Sequence, residues 1–382
     1  MPELPEAEPI KKEIMVDREP KEKFPIGEAN KLGELSRERW YEHLLLFSEV
    51  KNEVLEINPH VNISLPLEKG KSSPLGLFME AAFEEKPKEI QQGKCVLEVL
   101  PGHWRSAIIC RTGFNDKEGR IYRDVDIKGI GSFWRKGTEE GIRVWSYPGF
   151  PNPGGRGVGL LDFDSAFLDY QMSEEFLEAG IRTCRTIAII ELKELIISNH
   201  KFSVKQAMEE NLLLKNFRPV VEIRAFGTKA RIEDLEPGLF EYENELLFKD
   251  AKKFVAQELG YKKALSSEDY FIWFAKTLGA NVALIHKNGW SHHNLRPHNI
   301  TLDCRIVDLD TITQLTRKNE QSADFSQAKN SLSTLERFLN FRFREVTIKR
   351  EIFEKYFEES YDAIFPFKEQ EEYFSKINQE KK

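Results

Sequence analysis

Cysteine is scarce in this chain, with four among 382 residues, and no two of them form a C-x-x-C pair. Cys95, Cys110, Cys184 and Cys304 are too scattered for a structural zinc spacing. A chain of this length also needs no disulfide framework to hold a core. The expectation is reduced, buried thiols. Basic charge is not in surplus either. The net charge is −7, with both signs spread along the chain, which argues against the basic surface that a nucleic-acid backbone demands. No apolar run reaches the length of a membrane span. No basic stretch followed by an apolar one marks a secretory signal. These absences predict a cytoplasmic protein with neither nucleic acid nor membrane as its main partner.

What is present is a globular composition, 40% hydrophobic and 11% aromatic, long enough for two lobes. The opening MPELPEAE is similar to the start of formamidopyrimidine-DNA glycosylases, whose N-terminal proline is the nucleophile. The likeness stops there, because the C-terminal cysteine pairs of that family are missing and the charge is acidic. Residues 1–35 read as a polar, proline-rich arm. Residues 36–60 read as a helix, with Trp40, Leu44, Phe47 and Val54 near helical spacing. A further short helix is expected around Leu75–Phe83. Strands follow at 107–111 and 122–128, joined by a turn with Asn115, Asp116 and Gly119. In the second strand Val125 and Ile127 face one way, and Asp124, Asp126 and Lys128 the other. The glycine-proline run at 147–159 reads as a mobile loop.

A helix then runs to Gly180; Asp164 or Ser165 can cap its start, and capping is a sufficient explanation for Asp162 and Asp164. Strands are expected at 186–192 and 220–226. From about residue 240 the chain turns helical. Tyr270, Phe274, Leu278, Val282 and Ile285 mark a buried helix that ends at Gly289. A small hairpin is expected around Asp303–Cys304. The resulting division is an extension over 1–99 that is partly helical, a strand-rich lobe over 100–235, and a helical lobe over 236–382.

The segment Ser291–Asp310 carries the most chemical information. A buried helix leads into HHNLRPHN, a short hairpin follows, and then Asp308. Protein-kinase-like enzymes use this order to bring an amide and a carboxylate to one Mg²⁺ that bridges ATP phosphates. Asn299 and Asp308 fill those two places. Either alone is as well explained as a turn residue. A phosphate-binding lysine is then expected upstream on a strand. Lys128, in DIKGIG, fits, with Gly129 and Gly131 beside it. Asp169 on the following helix is the candidate to orient it, with Glu174 as the alternative. No G-x-G-x-x-G lid precedes Lys128.

Several segments together are similar to the selenoprotein O family, over roughly residues 100–315. DIKGIG resembles that family's L-K-G-A-G segment. SEEFLEAGIRTCRTIAII resembles S-E-A-M-x-x-L-G-I-P-T-T-R-A-L. EIRAFGTKAR resembles R-V-A-P-S-x-x-R-F, with Arg224 and Arg231 at the same seven-residue spacing. GHWRSAI resembles G-D-G-R-G, and GWSHHNLRPHNITLDCRIVDLD resembles G-F-x-H-G-V-x-N-T-D-N-M followed by D-Y-G. The resemblance implies an α+β, bilobal protein-kinase-like fold with a strand-rich N-lobe and a helical C-lobe. It implies transfer of AMP from ATP to protein hydroxyls, with ATP bound in reversed orientation. It makes Arg105, Arg224 and Arg231 phosphate contacts, and Asn299 and Asp308 ligands of Mg²⁺ or Mn²⁺.

The chain departs from the pattern where a catalytic base is needed. Kinases carry Asp at the position of Asn294, and the selenoprotein O pattern carries Asp where His298 stands. A neutral His298 can accept a proton near pH 7; Asn294 cannot. Asp308-Leu309-Asp310 replaces D-Y-G, with Asp310 as a possible second carboxylate on the metal. Of His292 and His293, one is expected to brace the backbone near Asp308. Three classes stay open: an active AMP- or phosphoryl-transferase, a nucleotide-binding pseudokinase, and a small-molecule kinase.

Overall fold

The computed structural model describes residues 43–61, 63–83, 91–99, 103, 105–135, 142–145, 159–197, 200–235, 241–343 and 349–380. The chain divides into two compact units. The strand-rich unit holds the described residues up to Tyr170 together with Arg185–Gly227. The helical unit holds Gln171–Cys184 and the residues from Thr228 onward. This is the α+β, two-unit organisation expected from the sequence. The arm at 1–35, Trp40, and most of the 147–159 run lie outside the described residues.

The strand-rich unit begins with β1 (His43–Glu49), β2 (Asn52–Ile57), β3 (Leu77–Phe83), β4 (Lys94–Val99), β5 (Ser106–Asn115) and β6 (Ile121–Lys128). A small ribbon of β7 (Ser132–Arg135) and β8 (Ile142–Trp145) follows, then β9 (Leu161–Asp162) and helix α1 (Phe163–Glu178). The unit is completed by β10 (Arg185–Leu192), β11 (Glu194–Ile197), β12 (His200–Ser203), helix α2 (Val204–Glu209) and β13 (Pro219–Phe226). The main sheet runs β2-β10-β13-β6-β5-β4-β1-β3, and β9 pairs with β13. Each pairing in it is antiparallel.

Two expectations are corrected here. Residues 43–57 are strands β1 and β2, not part of a helix over 36–60, and residues 77–83 are strand β3, not a short helix. HLLLFSE is a near-continuous apolar run, which fits a helix and a strand buried on both faces equally well. Its flanking partners β3 and β4 decide the matter. The described part of the 1–99 segment therefore belongs to the sheet rather than to an extension. The unit boundary also falls at Gly227–Thr228 rather than at 235. Within the helical unit, Leu302 N–H donates to Ala230 O at 2.7 Å and Ile232 N–H to Ile300 O at 3.0 Å.

The sheet sorts its side chains by the two-residue period of a strand. Val125 and Ile127 of β6, and Val221, Ile223 and Ala225 of β13, enter the large apolar core. The residues between them, Asp124, Asp126 and Lys128 on β6 and Glu222 and Arg224 on β13, are also buried. Both faces of these central strands are thus covered, and one of the covered faces is ionic. Helix α1 starts where Asp162 Oδ2 accepts the Asp164 N–H at 3.3 Å, a capping role as expected.

The helical unit contains α3 (Glu241–Glu258), α4 (Ser267–Lys287), the short pair β14 (Trp290–Ser291) and β15 (Thr313–Gln314), α5 (Lys318–Phe343), α6 (Arg350–Ile364) and α7 (Phe367–Glu380). Ser266 caps α4 by accepting the Asp269 N–H at 3.0 Å. The expected apolar stripe, Tyr270, Phe274, Leu278, Val282 and Ile285, is fully buried. Helices α4 and α6 approach closely at Gly279, where a Cβ would lie 2.2 Å from Phe357 O. The four cysteines are free and buried, as expected. Among the described residues, no helix is long and apolar enough to cross a membrane.

Candidate nucleotide and metal site residues

In the strand-rich unit the expected lysine pair is formed. Lys128, at the end of β6, donates from Nζ to Asp169 Oδ2 of α1 at 3.2 Å, and both side chains are almost wholly buried. Glu174, the alternative partner, lies beyond Tyr170, in the stretch of α1 that belongs to the helical unit.

Arg224 stands directly across from Asp126 in the β13–β6 register. Its Nε and Nη2 donate to the two carboxylate oxygens of Asp126 at 3.0 and 2.8 Å, a bidentate fork. Nη1 lies 4.0 Å from Asp169 Oδ2. The guanidinium therefore faces away from the apolar core, as its strand position predicts, but it is 1% exposed. The sequence offered no sign of this burial, because the covering layer comes from another part of the chain.

Gly129 and Gly131 have roles inside the fold. The Gly129 N–H donates to Arg105 O at 2.9 Å, and the Gly131 N–H to Gly159 O at 3.2 Å. Gly129 has φ +96, and a Cβ there would lie 2.5 Å from Val220 O. The absent side chain makes room for protein backbone. The partly buried Arg105 directs Nη1 at Leu160 O, 3.4 Å away.

Glu222 is a member of this cluster that sequence reading missed. It faces Lys128 across the register and is fully buried. Its Oε1 accepts from Thr186 Oγ1 at 2.6 Å, and its Oε2 is buried without a hydrogen-bond partner. Burial, with Asp169 next, pushes its carboxyl up to about 8 against the pull of Lys128 and Arg224. The only sequence signal is its place, two residues from Arg224 on the same face.

In the helical unit the loop after β14 holds Asn299 at the end of a short turn, Pro297–Asn299. Asn299 is 2% exposed. Its Nδ2 donates to Asn294 O at 3.0 Å, while its Oδ1 is buried with no hydrogen-bond partner. Such an oxygen is costly unless water, an ion or a ligand meets it. The hairpin expected around Asp303–Cys304 is present: Ile300 bridges Ile306, and the Cys304 N–H donates to Thr301 O at 2.8 Å. It delivers Asp308 in the left-handed region, φ 60 and ψ 61, and 21% exposed.

His292 is the bracing histidine. Its ring is buried, with Nε2 3.1 Å from Val307 O and Nδ1 accepting the Asn294 N–H at 3.3 Å. Both contacts are met at once by the tautomer with the proton on Nε2. One ring thus ties the loop to the residue just before Asp308. His293 turns elsewhere, with Nε2 2.5 Å from Thr313 Oγ1.

Arg231 donates from Nη1 to His298 O at 2.5 Å and to Asp308 Oδ2 at 3.3 Å. His298 is about one-third exposed; its Nδ1 lies 3.7 Å from Glu233 and its Nε2 3.4 Å from Asn294 Nδ2. Burial, then Arg231, holds the imidazole below the usual histidine range, which favours its neutral form.

Asp324 is a second residue that sequence reading missed. From the fully buried face of α5 it accepts the His292 N–H at 2.7 Å, the His293 N–H at 2.8 Å and Ser291 Oγ at 2.8 Å. His286 Nε2 is 3.6 Å away. Burial pushes this carboxyl up, but His286, Ser291 and the His292 amide outweigh it, and the net shift is downward. A depressed carboxyl contributes stability above the ordinary carboxylate range, and that stability is lost as pH falls through the depressed value. Asn at this position has one acceptor oxygen and turns an NH₂ towards a donor. Asp324→Asn is expected to cost about 2 kcal/mol. It should also speed hydrogen exchange at the His292 and His293 amides relative to the core of α4. Unchanged exchange there would mean the carboxylate does not hold the loop.

The residues present suit a hard divalent cation. The donors are an amide oxygen without a partner and a partly exposed carboxylate, and Mg²⁺ takes its remaining ligands from phosphate and water. Asp310 is half-buried on the turn after Asp308. Among the described residues, no group of three or more His, Cys, Asp and Glu side chains is placed to hold a metal ion.

No protein-family model and no curated protein matches the chain, so its likeness to selenoprotein O stays a resemblance. Among solved structures it is similar to ROP2 from Toxoplasma gondii, described as a virulence factor with a protein-kinase fold and no enzymatic activity. That match has 7% identity and a TM-score of 0.38, covering 93% of this chain and 90% of the other. It is also similar to a Toxoplasma gondii rhoptry antigen kinase domain at 8% identity and a TM-score of 0.31, covering 74% and 80% of the two chains.

Proposed function

We propose that this chain is a metal-dependent ATP-binding protein of the protein-kinase-like class, and that its reaction is transfer of AMP to protein hydroxyls. The observation that carries the ATP and metal reading is the buried, unpartnered Oδ1 of Asn299, in a loop that His292 ties to the residue before Asp308. The buried Lys128–Asp169 pair supports it independently. In this reading Asn299 and Asp308 hold Mg²⁺ or Mn²⁺, and Lys128, kept in place by Asp169, meets phosphate. Arg105, Arg224 and Arg231 add positive charge. Held by Asn299 and Asp308, the cation would supply positive charge to offset that of the phosphates. The acceptor hydroxyl oxygen bonds to the α-phosphorus, the α–β bridging P–O bond breaks, and pyrophosphate leaves. The hydroxyl proton passes to the neutral imidazole of His298.

A second reading, a nucleotide-binding scaffold without catalysis, is favoured by three observations. Asn294 stands where kinases carry their base. Arg224 is spent on Asp126, and Arg231 on Asp308 and His298 O. A phosphoryl-transferring kinase is the further alternative.

The test is incubation of purified protein with ATP labelled at the α- or the γ-phosphate, with Mg²⁺ or Mn²⁺, followed by intact mass. The expected result is a gain of one AMP, on this protein or a generic acceptor, carrying the α-label. Phosphate carrying the γ-label would move the protein to the kinases. ATP binding without any transfer would establish the scaffold.

A further inference from the structure

The ionic face of β6 and β13 sets a third acid beside two buried ion pairs. Lys128 and Arg224 are two cations, and Asp126 and Asp169 are two carboxylates paired with them at 3.2 Å or less. The neighbouring Arg123 and Asp124 pair with each other at 3.0 Å. Glu222 is a further acid among the described residues of this face. It lies fully buried across the register from Lys128, with one oxygen bonded to Thr186 of β10 and the other unpartnered. The charged groups facing it are Asp169 from α1, Lys128 from β6 and Arg224 from its own strand; Thr186 is its neutral partner.

We propose that Glu222 is a positioning residue for Lys128. Carrying a proton, it leaves the lysine to Asp169 and to an anionic ligand; without the proton, it becomes a second carboxylate that holds the ammonium inside the sheet. This rests on the reading of Lys128 as the nucleotide-phosphate contact. The direction of the pH effect follows from burial. The folded carboxyl is raised to about 8, while the unfolded one ionises in the ordinary carboxylate range. Below that range both states hold the proton, and the folded state is favoured. As pH rises, the unfolded chain loses its proton first, so stability falls until the folded group ionises near 8, and is then level.

The experiment is titration of wild type and Glu222→Gln with MgATP from about pH 6 to about pH 9.5, since linkage to one proton gives a limiting slope of about tenfold per pH unit. Wild-type Kd is expected to rise with pH above about 8. Glu222→Gln mimics the protonated acid and should bind at all pH values as the wild type does at low pH. Its thermal stability should also lose the wild-type decline between acid and neutral pH. Thr186→Val is the second variant. The Thr186 hydrogen bond favours the ionised form, so its loss should move the wild-type midpoint upward while binding at low pH is kept. A merely structural role would lower stability in both variants and leave the profile where it was. Wild-type binding that is flat with pH, or a decline that Glu222→Gln shares, overturns the proposal and leaves the nucleotide reading standing. No ATP binding by the wild type at any pH overturns the nucleotide reading, and this proposal with it.

Discussion

Asp308→Asn is expected to weaken metal-dependent ATP binding by at least about 100-fold while the fold survives. Asp308 sits at φ 60, a conformation that Asn adopts nearly as readily as Asp. The substitution therefore removes charge without asking the backbone to move. What is lost, in the proposed reading, is the carboxylate that with Asn299 Oδ1 would meet a divalent cation. The stability effect should be small. The Arg231 pair at 3.3 Å is partly exposed, and such pairs contribute about 1 kcal/mol or less. Asp308→Ala should behave alike in binding, with about 1 kcal/mol more destabilisation from the left-handed backbone. Calorimetric titration with MgATP, repeated in EDTA, measures the first effect, and thermal melting measures the second. Binding that is unchanged in Asp308→Asn would remove the metal pair from the account.

Lys128→Met should be the most destabilising of these substitutions, by about 3 kcal/mol. The cost arises because Asp169, almost wholly buried, is left without its ammonium. Arg224 Nη1 at 4.0 Å remains as a partial partner, which sets the expectation at the low end of the range for broken buried pairs. Lys128→Met with Asp169→Leu removes both charges at similar volume, and much of the lost stability should return. ATP binding should not return in the double variant, because the proposed phosphate contact is absent from both. This difference separates structure from function. Denaturant midpoints give the first quantity and ATP titration the second. A single variant as stable as wild type would show that the pair carries no coupling energy.

The strands at 122–128, 186–192 and 220–226 were legible because β-branched and apolar residues crowd into short runs. Helix α4 was legible because its stripe repeats over many turns and ends at Gly289. The Lys128–Asp169 pair and the bracing histidine followed from the order of the segments. The strands β1 and β3 were not legible, since an apolar run carries no period that separates a strand from a helix. Glu222 and Asp324 were missed for another reason. An acid on a strand or a helix reads as a solvated one, and nothing local says that another element covers it. Arg224 shows both sides of this, with its face predicted and its burial not.

The sequence by itself determined which residues alternate on the central strands, where the long buried helix α4 lies, and where an amide and a carboxylate fall around a hairpin. These are local properties, governed by backbone period and turn chemistry. Only the tertiary structure decided which charged groups leave water and which partners meet them. It thereby decided that Glu222 is fully buried across from Lys128, that Asp324 meets the loop amides, and that Asn299 Oδ1 is buried without a hydrogen-bond partner. Desolvation and pairing depend on elements far apart in the chain, and no window of sequence contains them.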